Sequence, residues 1–230
     1  WEWTEELDAV AAEVGIPWVS TPFDETAVDF LEKFNLPLYK IASFEIIDLP
    51  LIRYVAKTQK PMIISTGMAT LEEIDSAVEA AREAGASELT LLRTNSGYPA
   101  SPSEMDLLAI PFMRERWDAR VGLSDHTLGH TSAIVAAALG AQVFEKHLTL
   151  DRADGGPDGP FSAEPNELAA YVAALEEARN SLGSPRFGPS PNEEASIKLR
   201  PSLRAIVSIA RGARITAQNV GSVRSAGGLP

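Results

Sequence analysis

The feature that most restricts how this chain can fold is a repeated alternation. A short, almost wholly apolar run is followed by a stretch with apolar residues at helical spacing, and the pair recurs along most of the sequence. An opening helix over 3–14 ends at Gly15 and leads into "IPWVST", read as a strand. Further strands are predicted around 38–42, 61–65, 89–93, 120–123 and 142–146, and helices around 47–57, 71–84, 103–116, 130–139 and 165–181, which makes six strands, each opening one unit of the alternation. Runs such as "PMIIS" and "LTLL" lack polar alternation, so both faces of these strands are expected to be buried, as in parallel sheet under helices. Thr70 with Glu73 forms a capping-box signature that places the start of the 71–84 helix. Six units fit a doubly wound sheet or a barrel lacking two units, and no G-x-G-x-x-G turn follows any strand to support a dinucleotide fold.

Residues 1–183 therefore read as one α/β domain, 184–201 as a linker rich in proline and serine, and 202–230 as the start of a second unit too short for a core of its own. Trp1 in place of Met, an opening helix with no strand ahead of it, and the uncapped "GGLP" read as a chain cut at both ends. No apolar run approaches bilayer length and no basic segment leads into one, so the expected location is the cytoplasm, with no membrane partner. Zero cysteines exclude disulfides, thiolate metal sites and cysteine nucleophiles together. A net charge of -12 argues against nucleic acid, and means that any anionic ligand needs a local positive pocket.

In parallel α/β folds the functional groups gather at the carboxyl ends of the strands. Here those junctions are "STPFD", "YKIASFE", "ISTG", "RTNSGYP", "LSDHT" and "FEKHLTLD", all polar and several rich in hydroxyls. Small hydroxyl donors with one lysine, Lys40, suit a phosphate or carboxylate, although each Ser or Thr could equally cap the helix that follows it. His147 follows His126 by 21 positions, one complete unit, so both side chains can face the same mouth from neighbouring strands. They suit two ligands of one divalent ion (Mn²⁺, Fe²⁺, Zn²⁺ or Mg²⁺) used as a Lewis acid; two hydrogen-bonded structural histidines are the alternative. Glu45 and Glu145 flank the mouth and could bind sugar hydroxyls, move protons or form plain salt bridges. Asp125 could fix the tautomer of His126 or cap the next helix, and His130 reads as solvated.

Taken together, "YKIASFEIIDLPLI", "ISTGMAT", "SGYPA", "VGLSDHTLG", "ALGAQVFEKHLTLDRADGGPDGPFSAEP" and "SLRAIVSIARGARITAQNV" resemble the sialic acid synthase family over essentially the whole chain. "KIASFE" and "DGGPD..FS.EP" are most similar to its pseudaminic acid branch. The resemblance implies a (β/α)8 TIM barrel, here without its first two strands, followed by the start of a small antifreeze-like (SAF) β-clip domain, in a homodimer that swaps the C-terminal domain when complete. It implies condensation of phosphoenolpyruvate with an open-chain N-acetylated amino sugar to a nonulosonic acid, with release of phosphate; pseudaminic acid is preferred, and N-acetylneuraminate and legionaminate are the alternatives. The implied metal is Mn²⁺ first, with Mg²⁺ or Co²⁺ after it, on His126 and His147. Positions matching phosphoenolpyruvate contacts are Thr21, Lys40, Ser43, Ser65, Ser96 and Ser124, with Asn95 adjacent; Glu45, Tyr98 and Glu145 match the sugar side. Arg224 matches an arginine offered to the partner's sugar, but Ser225 follows it where the family has proline. The family's first two strands carry a glutamate and a lysine of the site that are absent here, so the piece as given is expected to be inactive, with open strand edges that favour aggregation or swapping. Two other readings are a related synthase acting on a phosphorylated sugar, for which only Arg93 joins Lys40 as a cation, and a non-catalytic carbohydrate-binding protein of the same fold.

Overall fold

The computed structural model describes residues 1–224, in one compact unit over Trp1–Gly183 and a second beginning at Ser184. The first unit runs α1 (Thr4–Val14), α2 (Glu25–Leu31), β1 (Tyr39–Ile41), α3 (Leu49–Ala56), β2 (Met62–Ser65), α4 (Leu71–Glu83), β3 (Leu89–Thr94), α5 (Ala109–Trp117), β4 (Arg120–Asp125), α6 (Thr131–Ala138), β5 (Val143–Lys146) and α7 (Pro165–Leu182). The five strands form one sheet in sequence order, each pair parallel. Local signals account for several boundaries. Gly15, in the left-handed region at φ 71°, ends α1, and Thr70 and Glu73 exchange both capping-box bonds at the start of α4. Asp24 caps α2, a helix that the apolar spacing alone did not disclose, through the backbone N–H of Ala27 at 2.8 Å.

Five strands pair where six were expected. The segment 16–21 makes no ladder bonds, and the sheet begins at β1 without it. Its Trp18 donates to Asp8 at 2.7 Å and packs edge-on against Phe34.

The registers sort the strand residues onto two faces, since partners across a parallel ladder point the same way. Tyr39, Ile41, Met62, Ile64, Leu89, Leu91, Val121 and Leu123 share the outer face and pack under the helices as the main core. The inner face carries Lys40 on β1, Ser65 on β2, Thr94 on β3, Gly122 and Ser124 on β4, and Glu145 on β5. In a flat sheet β1 and β5 would lie about 19 Å apart, four inter-strand steps of about 4.8 Å. Lys40 Nζ instead meets the Glu145 carboxylate at 3.2 Å, so the sheet curls into a half-barrel with its inner face concave.

Gly122 makes that curl possible where β4 meets β5. A Cβ there would stand 2.3 Å from the Val143 carbonyl oxygen and 2.5 Å from Leu92 Cδ2. Gly122→Ala is therefore expected to destabilise the fold by about 2–3 kcal/mol through overpacking, read in a thermal melt as a Tm lower by roughly 5–10 °C; an unchanged Tm would contradict the close approach.

In the second unit a 3-10 stretch, Pro191–Leu199, begins at a Ser190–Glu193 capping box inside the segment read as a linker. Two antiparallel strands follow, β6 (Pro201–Ala205) and β7 (Val220–Arg224), with no buried residue in either. No helix among the described residues is long and apolar enough to cross a membrane.

Candidate active site

The carboxyl ends of the five strands bring most of the residues named from sequence to one rim. Lys40, 8% exposed, and Ser124 both bind the Glu145 carboxylate, Ser124 Oγ donating at 2.7 Å. The one lysine of the mouth is thus already neutralised, and an anion arriving there has to displace Glu145 or share Lys40 with it. Ser43 Oγ and Ser96 Oγ lie 3.2 Å apart, and between them sits Gly67 at φ +48°, where a Cβ would come within 2.4 Å of Ser43 Cβ. Only glycine lets the backbone of this turn settle against the two serines. Ser65 Oγ, at the end of β2, and Glu45 Oε2, just after β1, are buried with no hydrogen-bond partner among the described residues. A native interior seldom leaves such groups unpaired, which marks these ends as places for a ligand or ordered water.

His126 and His147 extend the inner face beyond Ser124 and Glu145, each two residues further on. Their ring centroids are 5.2 Å apart, and two imidazoles sharing one ion through bonds of about 2 Å have centroids roughly 5 Å apart. The Nδ1 of His126 lies 2.7 Å from the Asn95 carbonyl, which can only accept, so this nitrogen carries the proton and Nε2 keeps its lone pair. The Nδ1 of His147 faces the Asp158 carboxylate at 3.4 Å. Anchoring of the far nitrogen by a carbonyl, as at His126, is a usual arrangement around metal-binding histidines. Burial, with the neighbouring His147 adding to it, outweighs the Asn95 hydrogen bond and holds His126 below its ordinary pKa, which keeps the ring neutral. The residues present fit a divalent ion with two protein ligands, whose other positions fall to water and substrate. Among the described residues no group of three or more histidine or carboxylate side chains converges as a closed metal site would.

Tyr98 packs against His126 in a tilted arrangement, ring centroids 4.3 Å apart, and meets Phe161 at 5.1 Å; Phe161 in turn lies 5.1 Å from His147. Asp158 and Phe161 were not singled out in the sequence. They return to the mouth because the loop after β5 closes on itself: the Ala163 N–H donates to the His147 carbonyl at 2.8 Å and the Thr149 N–H to the Ala163 carbonyl at 2.9 Å. The sequence signal for this was the Gly- and Pro-rich "DGGPDGP", part of the motif "DGGPD..FS.EP", which gave these two residues no role.

Other residues named from the sequence have contacts of their own. Asn95 spends its side-chain amide inside its own turn, Nδ2 donating to the Glu104 carbonyl at 3.0 Å and Oδ1 accepting from Gly97 N–H at 2.8 Å, so only its carbonyl faces His126. Asp125 neither orients His126 nor caps α6. It faces the helices, accepting from the Thr127 N–H and hydroxyl and pairing with Lys146 at 3.3 Å. His130 is exposed. Arg93 donates to the Met105 carbonyl at 2.8 Å and pairs with Asp106. Thr21 is half-buried in segment 16–21 and makes no side-chain hydrogen bond among the described residues. Arg224 is exposed at the end of β7 in the second unit, and Ser225 lies outside the described residues.

The profile of the NeuB family matches residues 1–186. The chain belongs to the NeuB family. Among its NeuB relatives, a pseudaminic acid synthase of Helicobacter pylori is 38% identical over 99% of this chain and 67% of its own length. An N,N'-diacetyllegionaminic acid synthase of Campylobacter jejuni is 37% identical over 98% of this chain and 68% of its own. In three dimensions this NeuB chain is similar to a spore coat polysaccharide biosynthesis protein E from Chromobacterium violaceum, with a TM-score of 0.78 and 32% identity over 97% of this chain and 68% of that one.

Proposed function

We propose that this protein condenses phosphoenolpyruvate with an open-chain N-acetylated amino sugar to a nonulosonic acid and inorganic phosphate, the pseudaminic acid precursor being the preferred sugar. The observation that carries the reading is the pair of imidazoles, with ring centroids 5.2 Å apart and His126 anchored at Nδ1, beside an inner face of hydroxyls and one lysine. The pseudaminic and legionaminic acid synthases among the relatives support it.

In this reading Lys40, with the hydroxyls of Ser43, Ser65, Ser96 and Ser124, holds the phosphate and carboxylate of phosphoenolpyruvate at the ends of β1–β4. His126 and His147 would hold a divalent ion, Mn²⁺ in preference to Mg²⁺ or Co²⁺, and bound there it supplies a Lewis acid for the sugar carbonyl. Glu45, Glu145 and Tyr98 receive the sugar's polar groups, and the Tyr98 hydroxyl, its pKa raised by burial and then by Asp158 and Glu145, stays a neutral donor. C3 of phosphoenolpyruvate attacks the aldehyde carbon, whose oxygen takes up a proton. Water adds at C2, and the tetrahedral intermediate loses phosphate with C–O cleavage. The five-strand arc is proposed as part of a (β/α)8 barrel, residues 202–230 as part of an antifreeze-like domain, and the assembly as a homodimer in which Arg224 reaches the partner's sugar.

The test supplies the full-length gene product with phosphoenolpyruvate, Mn²⁺ and either 2,4-diacetamido-trideoxy sugars or N-acetylmannosamine in direct competition. Phosphate release with the first group is expected to exceed that with the second. Release with N-acetylmannosamine alone would shift the assignment to the neuraminate branch, and none with any sugar would reject a synthase.

A further inference from the structure

The turn between β3 and α5 grips His126 at several points. The Asn95 carbonyl accepts from its Nδ1–H at 2.7 Å, the Ala100 N–H donates to its backbone carbonyl at 3.0 Å, and the Tyr98 ring packs against it, tilted, at 4.3 Å. The side chain of Asn95 touches none of these groups. It ties the turn together from inside, bonded at one end to Gly97 N–H and at the other to the Glu104 carbonyl, nine residues on. We propose that Asn95 is a positioning residue for His126: its amide locks the turn so that its own carbonyl selects the Nδ1–H tautomer and presents Nε2, unprotonated, to the mouth.

The physical reason lies in the two forms of a neutral imidazole. Only the Nδ1–H form leaves Nε2 able to bind a cation, and before any cation arrives a fixed acceptor at Nδ1 selects that form. Asp125, the titratable neighbour in sequence, cannot serve, because its carboxylate is taken up by Thr127 and Lys146 on the other face of β4. A turn freed of its internal amide would let the Asn95 carbonyl swing, and the ring would divide between its two forms. This inference rests on the reading of His126 and His147 as ligands of a divalent ion, but its first readout does not.

The full chain free of metal is examined by long-range ¹H–¹⁵N NMR at a pH where the ring is neutral, and Mn²⁺ affinity is measured separately from the free-ion EPR signal. In the wild type, His126 is expected as the Nδ1–H form. Asn95→Ala is expected to give a mixture of tautomers and to weaken Mn²⁺ by about 10–100-fold, the usual cost of losing an outer-shell partner. Asn95→Asp, which keeps the acceptor for Gly97 but loses the donor to Glu104, is expected to fall between them, and it decides the matter if the alanine variant does not fold. A pure tautomer and unchanged Mn²⁺ affinity in a folded variant, even with a lowered Tm, would overturn the role. Wild type that shows the Nδ1–H form yet binds no Mn²⁺ would instead reject the metal site and leave the positioning of His126 to the tautomer comparison.

Discussion

His147→Ala is expected to cost about three orders of magnitude in turnover while leaving the fold intact. In the proposed reaction, an ion on the two imidazoles would supply several kcal/mol of charge stabilisation at the sugar carbonyl, and about 4 kcal/mol corresponds to a factor of roughly 10³ in rate. His147 is the cleaner of the two positions. It is only half-buried and its anchor, Asp158, is exposed, so nothing is left unsatisfied when the ring goes. His126 is 5% exposed, and its removal leaves the Asn95 carbonyl without its donor, which adds about 1–3 kcal/mol of instability to the catalytic loss. Phosphate release, Mn²⁺ titration and a thermal melt on both variants separate these effects. Full turnover in folded His147→Ala would remove the ion from the mechanism.

Lys40→Met is expected to lower kcat/KM for phosphoenolpyruvate by about 10²–10³-fold, as loss of one charge-assisted anion contact would. The informative partner is Glu145→Gln. Because Lys40 is held by Glu145 at 3.2 Å, an incoming anion competes with that carboxylate, and neutralising it should leave phosphoenolpyruvate binding as tight as in the wild type or tighter, while turnover falls with the lost sugar contact. Calorimetric titration of phosphoenolpyruvate without sugar reads the two variants, and the double variant gives their coupling. Glu145→Gln that weakens binding as much as Lys40→Met would mean that the pair acts as one structural unit rather than as competing groups.

Much of this molecule was open to reading before any coordinate. The alternation of apolar runs with helical stretches is a local property, and it sufficed to determine a parallel α/β architecture. Thr70 with Glu73 placed the start of α4 because a capping box closes within four residues. The convergence of His126 and His147 was legible too, since all strands of a parallel sheet end on one rim and residues one unit apart end side by side.

What the tertiary structure alone decided is direction and return. An apolar strand buried on both faces has lost the period-two signal that would say which residues look inward, so only the ladder registers turn Lys40 and Ser124 to the mouth and Asp125 to the helices. Segment 16–21 has the composition of a strand, yet pairing needs a partner, and the ladder begins at β1 without it. Asp158 and Phe161 reach His147 because a loop folds back on a backbone bridge, an event that no spacing announces. The Lys40–Glu145 contact joins residues 105 positions apart and exists because the sheet curls. Curl accumulates from small rotations between neighbouring strands, so it belongs to the assembled sheet and to no single stretch of sequence.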